Sequence, residues 1–256
     1  MTTRVFFAML LRDATVARRD IGAFLLRVAL QPIMLTLVFG FLMPRIGYMA
    51  RGYSATLLAG VLALSISFAA IQSVALPLVT DFGFTKEIED RLLSPVSISV
   101  VALEKIVAGV MQGLIAALFV LPMARLIMGP IPGLSIDNAA LILAAILLGA
   151  AAFSSFGLIL GTAIAPQNVP LMFGAILAPM VMFGCAYYPW RSLDRVPLMK
   201  WLVTINPLTY VSEALRGTLT PSLPHMPVAV TFGVLAAVST LFTFLGLRSF
   251  RKRAIG

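Results

Sequence analysis

The sequence predicts an all-α polytopic membrane protein. It has six transmembrane helices, an N-terminal interfacial amphipathic helix, and external helices that dip toward the membrane before the last span. Three observations predict this. Six long apolar runs fill most of the 256 residues. Hydrophobic residues make up 60% of the chain, charged residues only 11%, and mean hydropathy is +1.02, whereas a soluble chain carries about 25% charged residues. Finally, the runs are continuous in Leu, Ala, Ile, Val and Met, where the strands of a membrane barrel would alternate over about 10 residues.

Each crossing of a hydrocarbon core about 30 Å thick takes roughly 20 apolar residues. Spans are expected at about Phe24–Met43, Ser54–Val79, Ser99–Pro122, Ala139–Ala165, Val169–Tyr188 and Met226–Leu247. Too little chain remains for a separate soluble domain, so residues 1–256 read as a single transmembrane domain.

The first element, residues 3–22, reads as a helix lying on the membrane. Phe6, Leu10, Ala14, Ala17 and Ile21 share one stripe, with Arg4, Arg12, Thr15 and Arg19 opposite; arginines on the polar face suit the interface plane. Packing on a partner is the alternative. Arg12 and Asp13 interrupt the first apolar run, so no cleavable signal is expected. In the first span, Arg27 lies one turn inside and can snorkel to headgroups or meet cargo. Pro32 in this span and Pro77 in the second should bend them. Gln31, Gln72 and Gln112 are the uncharged polar residues at membrane depth, and serve either as interhelical hydrogen-bond partners or as a polar substrate path.

Between the second and third spans, residues 80–98 carry a short amphipathic helix. Phe84, Ile88 and Leu92 share one face, Glu87, Glu89, Asp90 and Arg91 charge the rest, and Pro95 ends it. Such a helix docks a soluble partner or lies on the membrane. Glu104 and Lys105 open the third span, close enough to the interface to stay hydrated. The fourth and fifth spans meet through Ala165-Pro166-Gln167-Asn168, a turn of helix breakers and caps. Residues 187–225 form the external segment. Tyr187-Tyr188-Pro189-Trp190 marks the interface. The stretch Met199–Gly217 is too polar to span and too apolar to float in water, so it should dip into the outer leaflet against protein. Glu213 and Arg216, three apart, can pair there.

The net charge of +9 fits the membrane and not nucleic acid. With both termini cytoplasmic, twelve basic residues fall inside (Arg4, Arg12, Arg18, Arg19, Arg27, Lys86, Arg91, Lys105, Arg248, Arg251, Lys252, Arg253) against seven outside. That asymmetry obeys the positive-inside rule, and the basic ends should rest on anionic lipid headgroups.

Other chemistry is poorly supplied. The single cysteine, Cys185, reads as a small apolar core residue, and with the single His225 it leaves no metal set. His225, among prolines, reads as a solvated loop residue. A phosphate-cradling loop needs Lys after Gly, but the four lysines follow Thr85, Glu104, Met199 and Arg251. A secondary transporter or channel would keep carboxylates or histidines at mid-bilayer, and a membrane-embedded enzyme would need a nucleophile–base or paired-carboxylate set. Both remain rival readings with less support.

Two segments carry a family resemblance. Glu87-Ile-Glu-Asp-Arg-Leu-Leu-Ser-Pro-Val-Ser97, followed by Glu104-Lys105, resembles the cytoplasmic coupling loop of type-2 ABC exporter permeases. Asn206-Pro-Leu-Thr-Tyr210 with Glu213-Ala-Leu-Arg-Gly217 is similar to their signature before the last span. The likeness covers essentially the whole chain and is nearest the branch of nodulation-factor and daunorubicin-type drug exporters. It implies a permease that is not itself an enzyme, paired with a second permease, identical or paralogous. It also implies two cytosolic ABC ATPase subunits, which bind the ATP and Mg, leaving this chain without a cofactor. Coupling would fall to Phe84, Glu87, Ile88, Glu89, Asp90, Arg91, Leu92 and Leu93, and the external motif to Asn206, Pro207, Tyr210, Glu213 and Arg216. The implied setting is the bacterial cytoplasmic membrane. The implied activity is export of a lipid-, glycolipid-, oligosaccharide- or drug-like substrate.

Overall fold

A computed structural model describes residues 2–19, 21–50, 52–85 and 97–255, and no strand occurs among them. The helices are α1 (Thr2–Arg19), α2 (Ile21–Leu35), α3 (Tyr53–Thr80), α4 (Ile98–Met128), α5 (Ala139–Ala163), α6 (Pro166–Met182), α7 (Pro197–Leu202), α8 (Pro207–Leu219) and α9 (Val228–Ile255). Five helices are long and apolar enough to cross a membrane: Phe24–Arg45, Tyr53–Gly83, Ile98–Met128, Ala139–Ala163 and Val228–Ile255. The fifth expected span is α6, shorter and broken. The chain is thus an all-α polytopic membrane protein.

The second span, α3, is the axis of the bundle: nearly every side chain along it is buried, including Leu57, Leu58, Ile66, Ile71 and Leu78. α5 approaches it closely because Gly157 and Gly161, four apart, present bare backbone. A Cβ on Gly157 would lie 2.9 Å from the Ile71 carbonyl oxygen, and one on Gly161 3.0 Å from that of Ala75. Small residues at this spacing let helices meet at backbone distance, where dispersion replaces the hydrophobic drive that lipid cannot supply. α9 packs on the other side of α5 through hydroxyl pairs, Ser155 with Thr243 at 2.8 Å and Thr162 with Ser249 at 2.7 Å. Its remaining surface, with Leu241, Phe244 and Leu245, is exposed, as suits a helix facing acyl chains.

Three spans are interrupted by π-helical segments. In α2, Pro32 is followed after four residues by a π-helical segment, Thr36–Leu42, and in α3 Pro77 is followed likewise by Asp81–Thr85. α6 contains a third, Met172–Leu177, between Pro170 and Pro179. Prolines and π-turns are the usual causes of helix bends.

At the end of the bundle that holds the chain termini, Val101, Ala102 and Ile106 of α4 pack with Leu78, Leu158 and Phe250, and Met9 of α1 covers them. This corrects one expectation. Glu104 and Lys105 are 0% and 5% exposed, with Nζ 3.8 Å from Oε2. The tail of α9 and α1 pack against α4 here, so position near a helix end did not mean access to water.

Candidate functional site

α8 enters the bundle from the end opposite the termini. Asn206 caps it: its Oδ1 accepts from the Leu208 N–H at 3.0 Å, and Pro207 at the first position has no N–H to satisfy. Val211 reaches Gly149, ten residues into α5 and so about 15 Å from its start. Every residue from Val211 to Thr220 is buried. A helix sunk this far must satisfy its polar groups against protein.

It does so against the end of α6. The last carbonyls of a helix have no partner within it, and here each finds one. Asn206 Nδ2 donates to the Met180 carbonyl at 2.7 Å and Ser212 Oγ to that of Gly184 at 2.9 Å. Thr209 Oγ1 lies 3.4 Å from the Phe183 oxygen, though its closer acceptor is Val203 at 2.7 Å. Arg216 Nη2 donates to the Cys185 carbonyl at 3.0 Å, and Tyr188 Oη to that of Met182 at 3.1 Å. Residues 206, 209, 212 and 216 stand on one helical stripe, so the polar face of α8 is a comb whose teeth meet the carbonyls of Met180, Phe183, Gly184 and Cys185. Cys185 itself has φ 51°, a left-handed conformation for a residue with a side chain, and its thiol is buried as expected.

Glu213 and Arg216 form the predicted ion pair, and both are 0% exposed. The carboxylate also accepts from the Trp190 N–H at 2.9 Å and the Met226 N–H at 2.6 Å. The guanidinium reaches the Thr56 carbonyl of α3 at 3.3 Å. One pair therefore joins α3, the turn after α6, and the chain on both sides of α8. Tyr210 Oη donates to Thr204 O at 2.8 Å, and burial pushes its phenol above the ordinary pKa, so it remains a donor. His225 departs from expectation: it is half-buried, with Nδ1 2.7 Å from Met226 O, because the loop folds back over Gly217. α7 behaves differently from α8, with Leu198 and Trp201 exposed.

A second feature is a groove between the first two spans. Gln31 and Pro32 of α2 face Ser65, Phe68 and Gln72 of α3 across it. Gln112, on α4, does not line it. Phe39 and Tyr187 pack with ring centroids 6.2 Å apart, and Tyr53 Oη donates to Tyr187 O at 2.8 Å, which ties the first two spans to the turn after α6.

The description ABC-2 type transporter fits residues 4–220. The chain belongs to this family. No curated protein matches it. An ABC-2 chain is the permease subunit of an ABC transporter and works with an ATPase partner. The match takes in α8 and the segment between α3 and α4. Of the coupling residues, Phe84 falls in the π segment that ends α3; Glu87, Ile88, Glu89, Asp90, Arg91, Leu92 and Leu93 lie outside the described residues. In the segment before the last span, the sequence pointed to Asn206, Pro207, Tyr210, Glu213 and Arg216 but not to Thr209 and Ser212. Their steps of three, from Asn206 to Thr209 and from Thr209 to Ser212, were the available signal.

Proposed function

We propose that this ABC-2 permease is half of the membrane channel of an ATP-driven exporter, nearest the nodulation-factor and daunorubicin-type branch. In this reading a second permease, identical or paralogous, closes the path, and two ATPase subunits dock from the cytoplasm, supplying ATP and Mg. The membrane is the bacterial cytoplasmic one, with both termini inside and residues 187–225 outside. The family match over residues 4–220 carries the reading. The groove supports it: Gln31, Ser65 and Gln72 place two amides and a hydroxyl in a wall otherwise made by Val28, Pro32, Leu35, Leu64 and Phe68, which suits a cargo with both polar and apolar faces, such as a lipid, glycolipid, oligosaccharide or drug.

The coupling segment, residues 84–93, would carry ATP-driven closure to the spans. Its apolar anchors Phe84, Ile88 and Leu92 should dominate docking, since buried apolar groups outweigh rim charges at interfaces. Replacing Ile88 and Leu92 with Asp is expected to leave the permease inserted, yet to release the ATPase on co-purification and stop export. Arg91→Ala should weaken association by about 1 kcal/mol or less, as exposed ion pairs do. Retention of the ATPase with normal export in the double variant would move coupling elsewhere.

Orientation is tested with single thiols at Ser222 and Ser94 on a Cys185→Ala background. An impermeant maleimide added to intact cells should tag only the first. Tagging of Ser94→Cys would reverse the assignment built on the basic-residue asymmetry.

A further inference from the structure

The comb on α8 fixes the turn that carries Cys185. Four teeth, Asn206, Thr209, Ser212 and Arg216, face Met180, Phe183, Gly184 and Cys185, the last turn of α6 and the residues just after it. Arg216 also holds Thr56 near the start of α3. The turn so held contains a non-glycine residue at φ 51°, a conformation that persists only where its surroundings over-determine it. The Arg216 Nε has no hydrogen-bond partner among the described residues, so the guanidinium is held by what its two terminal nitrogens reach.

We propose that Ser212 and Arg216 are positioning residues that clamp the end of α6 to α8 and, through Arg216, to the start of α3, and that this clamp seals the turn that carries Cys185 against solvent. The sealing role does not depend on ATP. Its meaning for transport rests on the exporter reading above, so the test uses the permease at rest and can succeed or fail independently of cargo and partner.

Cys185 is the chain's one cysteine and is fully buried, so the native protein carries its own reporter. The measurement is the rate of alkylation by a small polar maleimide, with the full-length permease in nanodiscs, where both faces are open to reagent. The native chain should react slowly. Arg216→Met removes the bonds to both carbonyls while Glu213 keeps its two backbone donors; it should raise the rate by about tenfold or more through local opening. Arg216→Lys keeps a donor and a charge and should bring the rate back to within about threefold of native. Ser212→Ala removes one tooth and should give a rise of roughly two- to fivefold. A reporter thiol at the buried Ser154, with Cys185→Ala and Arg216→Met, should stay protected if the opening is local. Two results overturn the clamp: a Cys185 as protected in Ser212→Ala and Arg216→Met as in the native chain, or a Ser154 reporter exposed in parallel, which would mean general loosening. If Arg216→Met fails to insert, Ser212→Ala against native decides.

Discussion

Glu213→Ala lowers the stability of the purified permease by about 3–5 kcal/mol, the usual cost of removing one partner of a buried ion pair. The substitution leaves the Arg216 guanidinium, 0% exposed, without its counter-charge. It also strips the Trp190 and Met226 N–H groups of their acceptor, and a buried unpaired donor costs about 1–3 kcal/mol. Arg216→Met should cost less, because the carboxylate still receives those two backbone donors. Combining Glu213→Leu with Arg216→Met should recover part of the loss, since no buried charge is then left alone. Thermal unfolding of the detergent-solubilised variants checks the order. Equal and small losses for Glu213→Ala and Arg216→Met would show that the pair does not hold this end of the bundle.

Gly60→Ala is expected to cost about 3 kcal/mol, at the upper end for an overpacked site. A Cβ there would come 1.7 Å from the Ala186 carbonyl oxygen and 2.6 Å from the Ala186 Cα. Both are backbone atoms of the turn that the α8 comb fixes, so no side chain can rotate away and either α3 or the turn must move. Gly174→Ala is the matched control. It lies inside a helix with nothing within 4 Å of the added methyl, and alanine there should be neutral or stabilising by up to about 1 kcal/mol. Comparable melting temperatures for the two variants would mean that the α3 contact yields more easily than its geometry indicates.

Much of the bundle was legible because lipid imposes a length on every span, and apolar length is written directly in the residues. Glu213 and Arg216 were legible as a pair because helical spacing alone brings them together. The comb was not, since Ser212 and Thr209 find carbonyl oxygens on a distant stretch, and a backbone acceptor leaves no mark in sequence. The same blindness misplaced Glu104 and Lys105. Charge near a helix start argued for water, while Met9 and Phe250, at opposite ends of the chain, pack with Val101, Ala102 and Ile106 on the same turns of α4. The break in α6 was not expected, since Val169–Tyr188 read as one span: Pro170 and Pro179 were the available signal, and nothing in Met172-Phe-Gly-Ala-Ile-Leu177 announces π geometry.

α6 is tethered at both extremities. The comb holds its last carbonyls, and at the other end Pro166 lies so near Gly83 that a Cβ there would sit 2.3 Å from the Pro166 Cγ. A rod pinned twice cannot swing. The π segment at Met172–Leu177, however, stores a surplus residue within the helix. Shifting that surplus by one position turns the side chains it passes by about 100° while both pins stay where they are. Motion in this span is then the passage of a dislocation, like a ruck pushed along a carpet. Anything resting against the exposed Ile176 would be rolled along the wall, with no gate leaf swinging aside.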